Sequence, residues 1–238
     1  MAQERRGTLS LVHGDGWRPR LSFCAGKSLK VCPMDVHEAL EAWQVQYSGQ
    51  PPVGFMLRFS HEAVWTRIHY LRDSAEPATR EEDERTAARF DAVASALFTG
   101  TTVLVLAIHL DPRHEATAEL RAIGATEIDP PEGWIQSLGE YLPRMGSPQF
   151  VATTLSWQRG CLDTVWLAVA RDRIARIAVF APATGDAFCP YGGGADVFVW
   201  GAERRSKLSD RFRAWVPAPG QPGSRPPRGA RDLIVKHS

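Results

Sequence analysis

Hydrophobic and polar positions follow two different periods along this chain, and the change of period predicts where helices and strands lie. After Asp35 the apolar residues recur at spacings of four, three and four as far as Tyr47, which predicts a helix with Asp35 as its N-cap. Thr101 to Leu110 reads TTVLVLAIHL and is almost wholly apolar and β-branched. Such a run predicts a strand that is buried on both faces in the middle of a sheet.

Other segments continue this pattern of helices and strands. Helical spacing is found at residues 88–98, 114–123, 133–142, 162–169 and 206–215. The segment 162–169 also fits a strand, and we favour a helix. Strands are predicted at Gly54–Phe59, at Phe150–Trp157 and, as two or three strands, within Arg173–Trp200. Residues 63–71 fit either a strand or a short helix, and a pair of short strands is predicted around Asp15-Gly16.

The order of these elements predicts an α+β fold. We expect a mixed or mostly antiparallel sheet of five to seven strands, with helices packed on one face. Residues 1–216 are expected to form one domain, in which residues 1–50 are an N-terminal extension with one helix and residues 51–216 are the main body. The segment 217–238 is rich in proline, glycine and arginine, and too poor in apolar side chains to fold, so we predict a flexible tail.

Charge and cysteine content narrow the classes of partner and compartment. The chain has 28 Lys and Arg against 27 Asp and Glu, a net charge of +1, which gives no global field for nucleic acid or an anionic membrane. No apolar run approaches the roughly 18 residues needed to span a bilayer. The cysteines form no CxxC pair and are typical of reduced structural thiols: Cys24, Cys32, Cys161 and Cys189. We therefore expect a cytoplasmic protein that binds neither nucleic acid nor membrane and needs no cofactor.

A cluster of potential metal ligands follows the predicted central strand. His109, Asp111 and His114 are close enough in sequence to ligate one metal ion from a strand end and the next turn. The remaining ligands would come from elsewhere in the chain, with three candidates: His61, Glu62 and His69. The alternative is that His109 is a packed strand residue and that Asp111-Pro112 starts a helix, and we favour this second interpretation.

Two features near the C-terminus also allow chemistry. Cys189 is a candidate nucleophile with His61 or His109 as its base, although a lone cysteine in an apolar strand is typical of a packed thiol. The run Gly192-Gly193-Gly194 resembles a phosphate cradle but lacks the Lys-Ser/Thr end of a P-loop. Since glycine opens conformations with positive φ, we favour a β-bulge or a hairpin turn here.

The order of motifs resembles a bacterial family of uncharacterised domains. The resemblance covers Gly54 to Trp215 and includes Gly-x-x-x-Arg-Phe, the strand ending in His109-Leu110-Asp111, and Phe-Cys-Pro-Tyr-Gly-Gly-Gly-Ala-Asp-Val. Its most specific part is the family pattern Tyr-Asp-Gly-Gly-x-Asp, which this chain matches at four positions: Tyr191, Gly193, Gly194 and Asp196. Gly192 stands where the family has an acidic residue, so we expect the motif to be structural here.

The resemblance also implies a function. Such domains are often encoded near Rhs or type VI secretion genes, which implies an immunity-type protein that binds and neutralises a co-encoded secreted toxin. A protein partner and no catalytic residues are then expected. Two alternatives remain: a metal-dependent hydrolase or toxin-like enzyme that uses His109, Asp111 and His114, and a secretion-system adaptor.

Overall fold

The computed structural model describes residues 34–69, 79–110, 117–141 and 147–216. Several predictions fall outside these ranges: the strand pair around Asp15-Gly16, the tail 217–238, and the start of the helix that was predicted from residue 114. Helices within the described ranges are each too short or too polar to cross a membrane.

Helices and strands alternate along the described chain. The helices are α1 (Val36–Gln46), α2 (Gly54–Ser60), α3 (Arg80–Phe98), α4 (Thr117–Ala122), α5 (Trp134–Tyr141), α6 (Asp163–Ala170) and α7 (Ala202–Arg211). The strands are β1 (Trp65–His69), β2 (Thr102–His109), β3 (Thr126–Ile128), β4 (Gln149–Ser156), β5 (Ile177–Ala181), β6 (Asp186–Tyr191) and β7 (Gly194–Phe198). A 3₁₀ turn, Glu62–Val64, leads into β1.

The seven described strands form one sheet in the order β1-β7-β6-β5-β2-β4-β3, and every neighbouring pair is antiparallel. This confirms the α+β class and the antiparallel sheet. It also confirms β2 as an inner strand, because β2 pairs with β5 on one side and with β4 on the other. The three strands β5, β6 and β7 account for the predicted strands between Arg173 and Trp200.

The helices cover both faces of the sheet, so the prediction that they pack on one face is wrong. Alternate residues of β2 enter two separate cores: Val103 and Val105 pack with α3, α4, α6 and α7, whereas Leu104 and Leu106 pack with α1, α2 and α5. Successive side chains of a strand point to opposite faces. A strand as apolar as β2 therefore needs a layer of helices on each side, which is what its sequence already implied.

The segment predicted as a strand at Gly54–Phe59 is helix α2, so that prediction is also wrong. A short apolar run is compatible with either structure, and tertiary packing decides between them. Here Val53, Met56 and Leu57 are buried, which is the spacing of one face of a helix. The helix also brings Gly54 and Arg58 onto one side, because residues four apart are neighbours on a helix surface.

Candidate functional site

The hairpin of β6 and β7 lies at the centre of the family-like motif. Tyr191 pairs with Gly194, so Gly192 and Gly193 form a two-residue turn. None of the three glycines has φ in the left-handed region, in contrast to the expectation from sequence. Space accounts for two of them: a Cβ at position 194 would overlap the carbonyl oxygen of Ile68, and one at 192 would overlap the carboxylate of Asp172.

Asp196 joins the hairpin to the edge strand β1. It lies opposite Arg67 in the β1–β7 register and is 2% exposed. Its Oδ1 accepts hydrogen bonds from Trp65 Nε1 at 2.9 Å, from Arg67 Nη2 at 3.1 Å and from Arg67 Nε at 3.2 Å. Burial raises the pKa of Asp196 above its ordinary value, and Arg67 and the bond from Trp65 offset only part of this rise. The motif aspartate is thus a buried anion with three donors on one oxygen.

Arg67 lies between two aromatic rings. Its guanidinium carbon is 5.5 Å from the ring centre of Trp65 and 5.9 Å from that of Tyr191. Cation–π contacts of this length hold a guanidinium in place as well as attract it. Burial, and then the charge of Asp196, raise the pKa of Tyr191, so its hydroxyl stays protonated at neutral pH.

Helix α2 approaches this cluster closely at its first residue. A Cβ on Gly54 would lie 2.9 Å from Cys189 Cβ and 3.0 Å from Asp196 Oδ2. Glycine therefore allows the helix to contact β6 and β7 at this point. One helical turn later on the same side is Arg58, which explains physically why the Gly-x-x-x-Arg spacing occurs in this segment.

A cavity of about 290 Å³ opens to solvent between α2, the start of β5 and the β6–β7 hairpin. Its charged lining consists of three arginines and one aspartate: Arg58, Arg67, Arg176 and Asp196. The Nε atoms of Arg58 and Arg176 are buried and have no hydrogen-bond partner in the described part of the chain. Neither side chain forms an ion pair there, whereas Arg67 is paired with Asp196. The cavity therefore has an excess of unpaired positive charge.

A family of domains of unknown function, DUF3885, matches residues 53–218. The chain belongs to the DUF3885 family. The matched region begins beside Gly54 and includes the hairpin, the edge strand and all of the cavity lining except Pro52. The comparison with curated proteins and the comparison with solved structures each found no match.

Among the described residues, Cys189 is the one thiol that lines the cavity of this DUF3885 domain. It is 4% exposed, and burial followed by the charge of Asp196 raises its pKa well above the ordinary value. The structure gives no hydrogen bond between this sulfur and the ring of His61, whose Nδ1 lies 3.3 Å from the backbone oxygen of Leu57. The side chain is a packed, protonated thiol.

The proposed metal ligands do not come together in the described structure. His109 is a buried residue at the end of β2, while Asp111 and His114 lie outside the described residues. His69 is the last residue of β1, four strands from β2 in the sheet order, or about 19 Å at the usual spacing between strands, while His61 and Glu62 precede β1. The metal site at His109, Asp111 and His114 stays a prediction, because two of its three residues lie outside the described ranges. No group of three His, Cys, Asp or Glu in the described ranges is placed to hold a metal ion.

The arginines of the cavity were missed by the sequence analysis of this DUF3885 domain. Arg58 was noted only as part of a motif, and Arg176 lies in an apolar stretch where a single charged residue is a recognisable signal. Their convergence depends on the sheet order, which places β5, β6 and β7 side by side under α2. Sequence spacing alone does not contain that information.

Proposed function

We propose that this DUF3885 protein is a non-enzymatic protein-binding module of immunity type that neutralises a co-encoded secreted toxin. We further propose that it contacts the partner through the arginine cavity. The observation that carries the proposal is the pair of arginines, Arg58 and Arg176: both line the open cavity, and within the described ranges neither forms an ion pair nor has a partner for its buried Nε atom. The same proposal includes a bacterial origin and a cytoplasmic location for the protein.

Unpaired buried donors favour a partner that supplies acceptors. A buried polar group without a hydrogen bond costs about 1–3 kcal/mol, and more when the group is charged. Burial lowers the pKa of Arg176, which reflects this cost. Hydrogen-bond acceptors supplied by a second protein would pair with these guanidinium groups and offset it. Complementary charge of this kind also increases the rate of association and selects against wrong partners.

The groups around the cavity support binding in preference to covalent chemistry. Burial raises the pKa values of the Cys189 thiol and the Tyr191 hydroxyl, so at neutral pH neither is an ionised nucleophile. Asp196 already accepts three hydrogen bonds on Oδ1, which reduces its availability as a base. These groups therefore favour binding through hydrogen-bond donors over nucleophilic or general-base chemistry.

The position of the cavity also suits recognition. Its walls come from a helix and from neighbouring strands of one sheet, and the close contact at Gly54 fixes the helix against the strands. Side chains held on rigid elements lose less entropy when a partner binds. A preorganised site of this kind suits an inhibitor that must bind its toxin tightly.

Co-expression with the secreted protein encoded next to this gene tests the proposal. We expect the wild-type protein to restore growth to cells that produce the toxin, and to co-purify with it as a stoichiometric complex. The matched control is the same secreted protein with its toxic domain deleted, which we expect this protein not to bind. If the wild-type protein neither restores growth nor co-purifies, the proposed function is wrong.

A further inference from the structure

We infer that the cavity binds one carboxylate-bearing residue of the partner, held between Arg58 and Arg176. This inference rests on the proposed function and adds the chemical class that is recognised. The two arginines come from separate elements, α2 and the segment before β5, and line the same cavity. A single anionic group between them would accept hydrogen bonds from both guanidinium groups.

Arg67 does not compete for this ligand. Asp196 accepts from two of its nitrogens, and the ring centres of Trp65 and Tyr191 lie within 6 Å of its guanidinium carbon. Its charge is therefore compensated within the fold. Arg58 and Arg176 remain as the two cations of the lining whose charges are not compensated by a described residue.

Both arginines are held at the cavity by their surroundings. The guanidinium carbon of Arg58 lies 5.2 Å from the ring centre of Phe59. The backbone oxygen of Arg176 accepts a hydrogen bond of 2.9 Å from Ile108, which extends the β2–β5 pairing to this residue. The two side chains thus start from anchored positions, which lowers the entropy cost of forming a fork around an anion.

The size of the cavity favours an organic anion over a bare inorganic one. A cavity of about 150 Å³ is enough for benzene in a well-studied engineered protein, and this cavity measures about 290 Å³. Part of its lining is apolar, with Pro52, Phe55 and Pro190 among the contributors. Such walls suit the methylene groups of a glutamate or aspartate side chain, or the final residue of a chain.

Charge requires an anion, and the cavity walls select a carboxylate. Asp196 is also part of the lining, and its Oδ2 faces the first turn of α2. Because Arg67 compensates the charge of Asp196, the other two arginines attract an anion of either kind. The choice of a carboxylate over a phosphate therefore rests on the size of the cavity and on its apolar walls.

Arginine Nε–H signals in NMR spectra of the full-length, ¹⁵N-labelled protein test the inference. The probe is the N-methylamide of N-acetylglutamate, which has one carboxylate, and the matched neutral probe is the corresponding glutamine compound. We expect the signals of Arg58 and Arg176, assigned with Arg58→Gln and Arg176→Gln, to shift with the glutamate probe at roughly millimolar concentrations. Each substitution should weaken binding by about tenfold or more. Arg213→Gln, an exposed arginine paired with Asp210, is the control and should change nothing.

Two results would overturn the inference: no shift with the glutamate probe, or tighter binding of inorganic phosphate. Its failure is distinguishable from failure of the proposed function. If the toxin co-purifies while the glutamate probe does not bind, only the ligand class is wrong. If the probe binds while the toxin neither co-purifies nor is neutralised, the cavity recognises a carboxylate but the proposed function is wrong.

Discussion

Asp196 and Arg67 face each other across the β7–β1 pair, with Oδ1 of the aspartate 3.1 Å from Nη2 of the arginine. This pair links the hairpin of the motif to the edge strand of the sheet. It also compensates the charge of one of the three arginines of the cavity, so two remain for a ligand. The motif aspartate therefore has a structural role and, through Arg67, determines the charge of the candidate site.

The first prediction concerns this pair. Asp196→Ala removes the acceptor from a buried arginine, and we expect it to lower the free energy of unfolding by about 3–5 kcal/mol. The Arg67→Ala, Asp196→Ala double variant should be less destabilised than the sum of the two single variants by about 2 kcal/mol, because no unpaired charge remains. Denaturant unfolding measures all four proteins. Additive single effects would show that the two side chains are not coupled.

The second prediction separates the glycines of the motif. Gly194→Ala places a methyl group against the carbonyl oxygen of Ile68, a backbone atom that cannot move without disturbing the β1–β7 pair. We expect a loss of about 3 kcal/mol or more, as for overpacking in a core. Gly193→Ala is the control, because its Cβ would lie 3.7 Å from Tyr191, an ordinary contact. Equal melting temperatures for the two variants would contradict the close approach at Gly194.

The third prediction concerns the contact between α2 and the strands. Gly54→Ala would bring Cβ within 2.9 Å of Cys189 Cβ, so the helix must shift, and we expect a loss of about 1–3 kcal/mol. Gly139 in α5 is the matched helical glycine, and nothing lies within 4 Å of its Cβ position. Gly139→Ala should stabilise the protein by about 0.5–1 kcal/mol because alanine favours the helix. Thermal unfolding compares the two variants. If Gly54→Ala raised the melting temperature, the close contact between Gly54 and Cys189 would be refuted.

The fourth prediction concerns the pH dependence of stability. Burial, and then the charge of Asp91, raise the pKa of Asp163 from 3.8 to about 6. The folded state thus holds this proton more tightly than the unfolded chain. The contribution of protonated Asp163 to the free energy of unfolding is therefore fully present below about pH 4 and is lost as the pH rises through about 6.

Asp163→Asn removes this titration and tests its sign. Because the side chain is only half buried, we expect the stability of the variant to exceed that of the wild type at pH 7 by only about 1 kcal/mol, after allowance for solvent screening. The advantage should disappear near pH 4. Asp129→Asn, at an exposed position, is the control for the change of net charge. Unfolding at a series of pH values provides the measurement, and an advantage that grew towards pH 4 would reverse the assigned sign.

The sequence predicted the elements whose pattern is long and regular. β2 has eight residues, seven of them buried, and α3 has nineteen with an apolar stripe, so tertiary packing had little to override. The hairpin turn was also predicted, although for a different physical reason: Gly192 and Gly194 are required by space, and none of the three glycines has positive φ.

Other features could not be predicted because they depend on long-range packing. Seven residues from Gly54 to Ser60 fit a helix or a strand equally well until Met56 and Leu57 have a core to face. The cavity was even harder to predict from the sequence. Arg58 and Arg176 line one cavity only because β5 and β6 are neighbours in the folded sheet. In the sequence itself, such a cavity is indicated only by a single charged residue within an apolar segment.

The central claim is tested most directly by measuring how tightly the proposed toxin partner binds two matched double variants of this protein. Arg58→Gln, Arg176→Gln removes the unpaired arginines of the cavity, whereas Arg80→Gln, Arg213→Gln removes the same charge from exposed surface pairs. Calorimetric titration should show a loss of about 100-fold or more for the cavity variant, as expected for two charge-assisted hydrogen bonds, and wild-type affinity for the control. Equal affinity of both variants and the wild type would contradict recognition through the cavity.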